Sequence, residues 1–323
     1  MEETDQPINQ NNTVRAPNGR PYNFRRIKEK TLRSISYTVP EEYDGAKVYT
    51  FLKTHMKISL TLLRSLKRVD DGLLLNGEHT RTVDIVHTGD TITVNIPQKN
   101  PEIIPLDIPL DIVYEDEDLL VINKPGNLAM HESHNHQGDA LSNAVASYLM
   151  KKGKSAVFRC VGRLDKGTSG LVICALNAHV AARLSGNFEK RYLAVSTGKF
   201  TEDGEIIKPI YRPDPIKTYR TVDERGDYAE THYKVLEYGE NYSLLRIRLE
   251  TGRTHQIRVH FASLDAPLYG DTMYGKADED CFRQALHCES VRFIHPVKEE
   301  EMFLKAEMPE EMQKLLTRLR NEK

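Results

Sequence analysis

Residues 159–171 read RCVGRLDKGTSGL, and this stretch constrains the chain more than any other. Val157-Phe158 precede it and Leu171-Val172-Ile173 follow it, so a run of Gly, Asp, Thr and Ser that favours turns is bracketed by apolar segments. An ordinary turn has no need of Arg163 and Asp165 on either side of Leu164. With extended backbone both charges face one way and Leu164 faces the core. Such a piece holds a carboxylate rigidly at the mouth of a sheet.

The rest of the chain supplies room for that sheet. At 323 residues there is enough chain for two domains and a sizeable core. No run approaches 18 apolar residues, and the start MEETDQPINQ has neither a basic nor an apolar signal region, which predicts a soluble, cytoplasmic protein without a membrane partner. Cys160, Cys174, Cys281 and Cys288 include no Cys-x-x-Cys pair and are expected as reduced thiols. A formal charge of −2 argues against indiscriminate polyanion binding, so any nucleic-acid contact must come from local basic patches.

Read in order, residues 1–36 are polar and aperiodic and are expected to be a flexible tail, with basic residues towards its end. From Lys47 to Arg68 there are six Lys or Arg and no Asp or Glu. Val48, Phe51 and Leu52 mark one short helix; Leu60, Leu63 and Leu66 mark a second. Arg64, Lys67 and Arg68 share one face of the second. Leu73–Leu75, the turn Asn76-Gly77 and a strand opened by Gly89-Asp90 complete a small α/β domain over 37–97. Prolines 97, 101, 105 and 109 exclude a helix and make 98–111 an extended linker that tethers the two parts.

The remainder, 112–323, reads as one domain. Strands are expected at 112–114, 119–123, 191–195, 205–209, 231–238 and 242–250, and helices at 139–150, 178–188 and 309–320. Leu245, Ile247 and Leu249 alternate with Arg246 and Arg248, the pattern of a half-buried strand. The economical architecture is α+β: a mixed, largely antiparallel sheet with flanking helices.

GRLDKGTSGL closely resembles the signature of the RluA-type pseudouridine synthases, and two further stretches match in the family's order: Lys190-Arg191-Tyr192-Leu193-Ala194 and residues 251–260, TGRTHQIRVH. The family carries His before its Arg-Leu-Asp; here the position is Gly162. The small domain, helix-helix-strand-turn-strand with its Gly-Asp, resembles the alpha-L RNA-binding domain. The resemblance implies an isomerase that converts uridine to pseudouridine in RNA. Its carboxylate would be Asp165, as nucleophile on the ribose or the uracil ring or as base on a ribose proton. Arg258 would pair with that carboxylate, bidentately, and Tyr192 would stack on the flipped uracil, with Ile257 as apolar wall. Arg163 would enter the RNA stack or hold its phosphate, and Arg253 and His255 would meet phosphates or nearby bases. Lys166 and Lys190 read as solvated lysines.

The reaction consumes nothing and changes no oxidation state, which fits a chain with no P-loop, no Gly-x-Gly-x-x-Gly and no His-Glu-x-x-His. No cofactor is expected, and His131, His134 and His136 are read as a polar loop, because no Cys or carboxylate cluster completes a metal shell. The expected partner is structured RNA, above all large-subunit ribosomal RNA or ribosome precursors, met by a monomer. The competing readings are a non-catalytic RNA-binding or ribosome-assembly protein, a synthase acting on transfer RNA, and a hydrolase that releases uracil.

Overall fold

The computed structural model describes residues 32–97, 103–132, 140–154 and 157–322. The polar loop expected at His134 and His136 and most of the expected N-terminal tail lie outside these residues. A four-stranded antiparallel sheet comes first, built from β1 (Leu32–Thr38), β2 (Leu73–Leu75), β3 (Glu78–His79) and β4 (Thr91–Pro97) in the order β1-β4-β2-β3. The helices α1 (Val48–Thr54) and α2 (Leu60–Leu66) cover it. Asn76 and Gly77 both take positive φ, 53° and 87°, in the tight turn between β2 and β3 that their residue types foretell.

Two expectations for this region need correction. β1 begins inside the segment read as tail, and Ile35 is buried with Phe51, Leu52 and Val94. Leu60 is exposed, and Leu62 takes its place beside Leu63 and Leu66 in the core. In the first case the strand's alternation was hidden by serines on its outer face; in the second, Ser59 caps α2 by accepting from the Leu62 amide and so sets its start and rotation.

The large sheet contains β5 (Asp111–Glu115), β6 (Leu119–Lys124), β7 (Arg159–Val161), β8 (Ser169–Ala175), β9 (Phe188–Ser196), β10 (Gly204–Ile207), β13 (Glu230–Tyr238), β14 (Ser243–Leu249), β15 (Leu286–Ile294) and β16 (Glu301–Lys305). A separate hairpin is made by β11 (Ile210–Tyr211) and β12 (Thr221–Val222). The main order is β10-β13-β14-β9-β15-β8-β6-β5, with β16 on β15 and β7 on β8. Among the described residues, every strand pairing is antiparallel except β15 with β8. Around the sheet lie α3 (Leu141–Lys151), α4 (Ala178–Leu184), α5 (Gln256–Ala262) and α6 (Glu310–Asn321). The helix read over 178–188 stops at Leu184, because Gly186 turns the chain at φ 77° and Phe188 opens β9.

The parallel junction depends on Gly170. Its φ is 106°, and a Cβ there would lie 2.3 Å from the Cys288 carbonyl oxygen. Only glycine lets β8 run this close to β15, and the loop of residues 162–168 meets the sheet at that point.

From residue 103 on, the segment read as a tether is docked. Ile103, Ile108 and Leu110 pack on the main core, and the Leu106 amide donates to the Asn143 carbonyl on α3. The acidic turn after β5 is also an anchor. Buried Asp118 accepts both arms of the Arg33 guanidinium, at 2.9 and 2.7 Å, and the Asn177 amide at 2.7 Å. Val297 packs against both cores. Arg33→Met should lower stability by about 1.5–3 kcal/mol, the usual worth of hydrogen bonds to a charged group. Urea denaturation checks this, and an unchanged midpoint would show that the Arg33–Asp118 pair contributes nothing.

Candidate active site

Asp165 sits on the loop between β7 and β8, with Leu164 buried beneath it and Arg163 exposed beside it, as the alternation required. The loop is clamped from below. The Thr168 amide donates to the Asp165 carbonyl at 3.0 Å, and the Gln284 amide donates to the Thr168 hydroxyl at 3.2 Å. Arg283 donates to the Gly167 carbonyl at 2.8 Å and to Ser169 Oγ at 2.9 Å, while Glu311 on α6 holds the same guanidinium at 2.6 Å. Fully buried Lys124 donates to the carbonyls of Leu128, Pro125 and Lys166, at 2.8, 3.0 and 3.2 Å. Burial, and secondly the Arg283 charge, push its pKa down to about 7; its three acceptors match the three N–H bonds of an ammonium and oppose that fall.

Arg258 on α5 reaches Asp165 with one arm, Nη1 to Oδ2 at 3.3 Å. The bidentate grip expected there goes instead to Asp271, with Nε and Nη2 donating at 2.7 and 2.8 Å. The reason is burial. The Asp271 side chain is wholly enclosed and needs a full counter-charge, whereas Asp165 keeps 18% of its side-chain surface open. Burial works against the charge on Arg258, but Asp271 first and then Asp165 outweigh it, so its pKa is raised. Asp271 was not foreseen; its signal was a carboxylate directly after Gly270, which turns at φ 70°.

The seven residues read as catalytic or substrate-binding line one cleft of about 100 Å³. Leu164, Tyr192, Leu249, Ile257 and Leu286 form its apolar wall, and Asp165, Arg258, His255, Arg163 and Arg253 its polar rim. Tyr192 is 7% exposed, and burial pushes its phenol pKa well up, so its hydroxyl is neutral and its ring serves as a wall. His255 takes a left-handed backbone, φ 59°, and its Nδ1 pairs with the Tyr274 hydroxyl at 2.9 Å. Its Nε2 stands 3.9 Å from Asp165 Oδ2, and burial lowers its pKa against the opposing pull of Asp165. Arg253 donates to the Tyr228 carbonyl at 3.0 Å, and Arg163 has no polar partner among the described residues.

Lys190, read as solvated, is buried; its Nζ donates to the Gly162 carbonyl at 3.2 Å. Gly162 itself has φ 68°, and a Cβ there would meet the Phe188 ring at 2.5 Å. A histidine therefore does not fit this backbone as it stands, which accounts for the glycine. Arg64, Lys67 and Arg68 are exposed and are not among the cleft residues. Among the described residues, no helix is long and apolar enough to cross a membrane.

The site is thus a carboxylate paired with a buried arginine at an aromatic-walled cleft on this sheet. The RNA pseudouridylate synthase family profile matches residues 118–263. The uncharacterized RNA pseudouridine synthase YjbO of Bacillus subtilis (strain 168) is 38% identical over 268 residues, covering 80% of this chain and 94% of its own. Ribosomal large subunit pseudouridine synthase D of Escherichia coli (strain K12) is 36% identical over 273 residues, covering 78% and 84%. Among solved structures, human RNA pseudouridylate synthase domain containing 4 superposes with TM-score 0.53 at 25% identity, covering 65% of this chain and 92% of its own. The chain belongs to the RNA pseudouridylate synthase family. It is an RNA pseudouridine synthase, an isomerase.

Two outcomes are expected. Asp271→Asn should cost about 3–5 kcal/mol in urea denaturation, because it breaks a buried pair. It should also lower turnover roughly 10²-fold through a misplaced Arg258, with KM moving less; turnover at the wild-type level would mean that Asp271 does not set Arg258. Gly162→Ala should cost about 1–2 kcal/mol from the left-handed backbone alone. Adding Phe188→Ala should not recover that part, which thermal melts of the single and double variants will resolve.

Proposed function

We propose that the enzyme isomerises one or a few uridines of structured large-subunit ribosomal RNA, with Asp165 as the reacting carboxylate. The observation that carries the reading is the Arg258–Asp165 pair at the foot of a cleft walled by Tyr192 and Ile257. A carboxylate so placed at the cleft attacks the ribose or the uracil ring, or takes a ribose proton. The isomerisation breaks the bond from the ribose to N1 and makes one to C5; the C5 proton leaves and N1 gains one, so no cofactor is required.

The remaining residues divide the work of presenting the base. Tyr192 stacks on the uracil once it leaves the helix, offsetting a few kcal/mol of unstacking, and Ile257 closes the other side. Arg163, without a polar partner among the described residues, fills the vacated stack or holds its phosphate. Arg253 and His255 bound the sugar-phosphate side of the cleft.

The ribosomal substrate is supported by the relative named for the large ribosomal subunit, and by the small domain with Arg64, Lys67 and Arg68 exposed together on an alpha-L-like RNA-binding module. Docked against the synthase domain, that module raises the effective concentration of RNA at the cleft. The protein acts as a monomer in the cytoplasm.

Pseudouridines in total RNA from cells lacking the protein, mapped by carbodiimide treatment and primer extension, should be missing at defined large-subunit positions. Wild type should restore them and Asp165→Ala should not. Disappearance confined to transfer RNA would replace the substrate, and restoration by Asp165→Ala would sink the role given to Asp165.

A further inference from the structure

Beside the cleft lies a second cavity, of about 450 Å³, which shares Gly252, Arg253 and Thr254 with it. Four arginines line it, Arg212, Arg220, Arg225 and Arg253, against one carboxylate, Asp227. Two of the four are neutralised. Arg225 is forked onto Asp223 at 2.8 and 2.7 Å, and Arg253 Nη1 lies 3.5 Å from Asp227.

Arg212 and Arg220 have no carboxylate partner among the described residues. Arg212 donates through Nε to the Lys217 carbonyl at 3.1 Å. Arg220 is held more firmly: its Nη1 meets the carbonyls of Thr218, Tyr219 and Lys217, at 2.7, 3.0 and 3.5 Å. One arm is thus fixed by the loop itself, and Nε and Nη2 have no partner among the described residues. Burial, and after it the charge of Arg212, hold the Arg220 pKa below its ordinary value, with Tyr274 opposing and Arg163 adding a little. Two cations that repel each other in a partly enclosed site are relieved by an anion between them.

The loop that carries these arginines is fastened to the catalytic cleft. The Arg220 amide donates to the Tyr274 hydroxyl at 2.9 Å, and that hydroxyl pairs with His255 Nδ1 at 2.9 Å. The Tyr219 ring stacks on the Tyr274 ring, centroids 5.2 Å apart, and the Arg258 guanidinium lies 5.0 Å from the centre of the Tyr274 ring. An anion bound by Arg220 is therefore placed in a fixed relation to the residues around Asp165.

We propose that this cavity seats a backbone phosphate of the RNA strand that flanks the uridine in the cleft, with Arg212 and Arg220 as its donors. The proposal rests on the RNA reading above and adds to it the anchor that sets the strand's register. Without a fixed phosphate, a flipped base has its ring plane defined by Tyr192 but not the direction in which its strand leaves.

The test is binding of fluorescein-labelled decauridylate, followed by anisotropy across a series of salt concentrations. Arg212→Gln/Arg220→Gln should weaken binding on the order of tenfold. It should also flatten the plot of log affinity against log salt, by about 0.7 for each phosphate of the single strand that no longer meets a cation. Arg212→Lys/Arg220→Lys keeps both charges and should retain most of the slope, which separates charge from a collapsed loop. Arg292→Gln, on β15 and paired with Glu301, should leave the slope unchanged.

An unchanged slope in the double Gln variant, or an equal flattening in Arg292→Gln, overturns the proposal. So does a free-phosphate site, which would appear as stabilisation of wild type alone by millimolar inorganic phosphate at constant ionic strength, with the decauridylate slope unaffected. Pseudouridine formation by the same proteins on a large-subunit ribosomal RNA transcript is scored in parallel. If wild type modifies the transcript while the slopes do not differ, the phosphate seat alone falls; if wild type makes none, the ribosomal reading falls and the slopes still decide the seat.

Discussion

Asp271, Arg258 and Asp165 form a chain of alternating charge, and the arrangement of the site depends on it. A fully enclosed Asp271 fixes the fork of Arg258 and also accepts the amides of Met273 and Tyr274, at 3.1 and 3.3 Å. The guanidinium then has one arm left for Asp165. This divides an enclosed carboxylate from one that faces the cleft. The first takes the geometry that a fork and a carboxylate prefer; the second takes a single, longer bond and remains partly open to the cleft.

Opposite this chain, the loop of Asp165 is tied down through its main chain. Lys124 and Arg283 hold the carbonyls of Lys166 and Gly167, the two residues after Asp165. Because Arg283 is itself anchored by Glu311, the terminal helix α6 takes part in setting a loop more than a hundred residues away in sequence. A buried lysine and a part-buried arginine on backbone carbonyls serve here where regular strand pairing stops, since the loop's polar groups would otherwise go unmet.

The acidic turn after β5 does two kinds of work. Asp116 closes the turn on the amides of Asp118 and Leu119 and accepts from His295 and Lys298. Asp118 reaches the other way, to Arg33. Together with Val297 and the packed segment 103–110, this makes residues 31–323 one compact unit, with the small sheet docked and not trailing.

What the sequence determined by itself was the local pattern with a strict period or a strict residue demand. Leu164 inward with Arg163 and Asp165 outward, the β14 alternation, the Asn76-Gly77 turn and the buried stripe of α6 all follow from spacing within a few residues. The motif segments that carry the family resemblance also contain every charged side chain that lines the cleft rim. Tertiary structure decided the rest, for one reason: partners for buried charge come from distant chain. Nothing near Arg258 in sequence says that Asp271 takes its fork, nothing near Lys190 says that the Gly162 carbonyl buries it, and nothing near Arg33 says that Asp118 waits across the interface. Desolvation sets those pairings, and desolvation exists only once the sheets and helices have closed over the groups concerned.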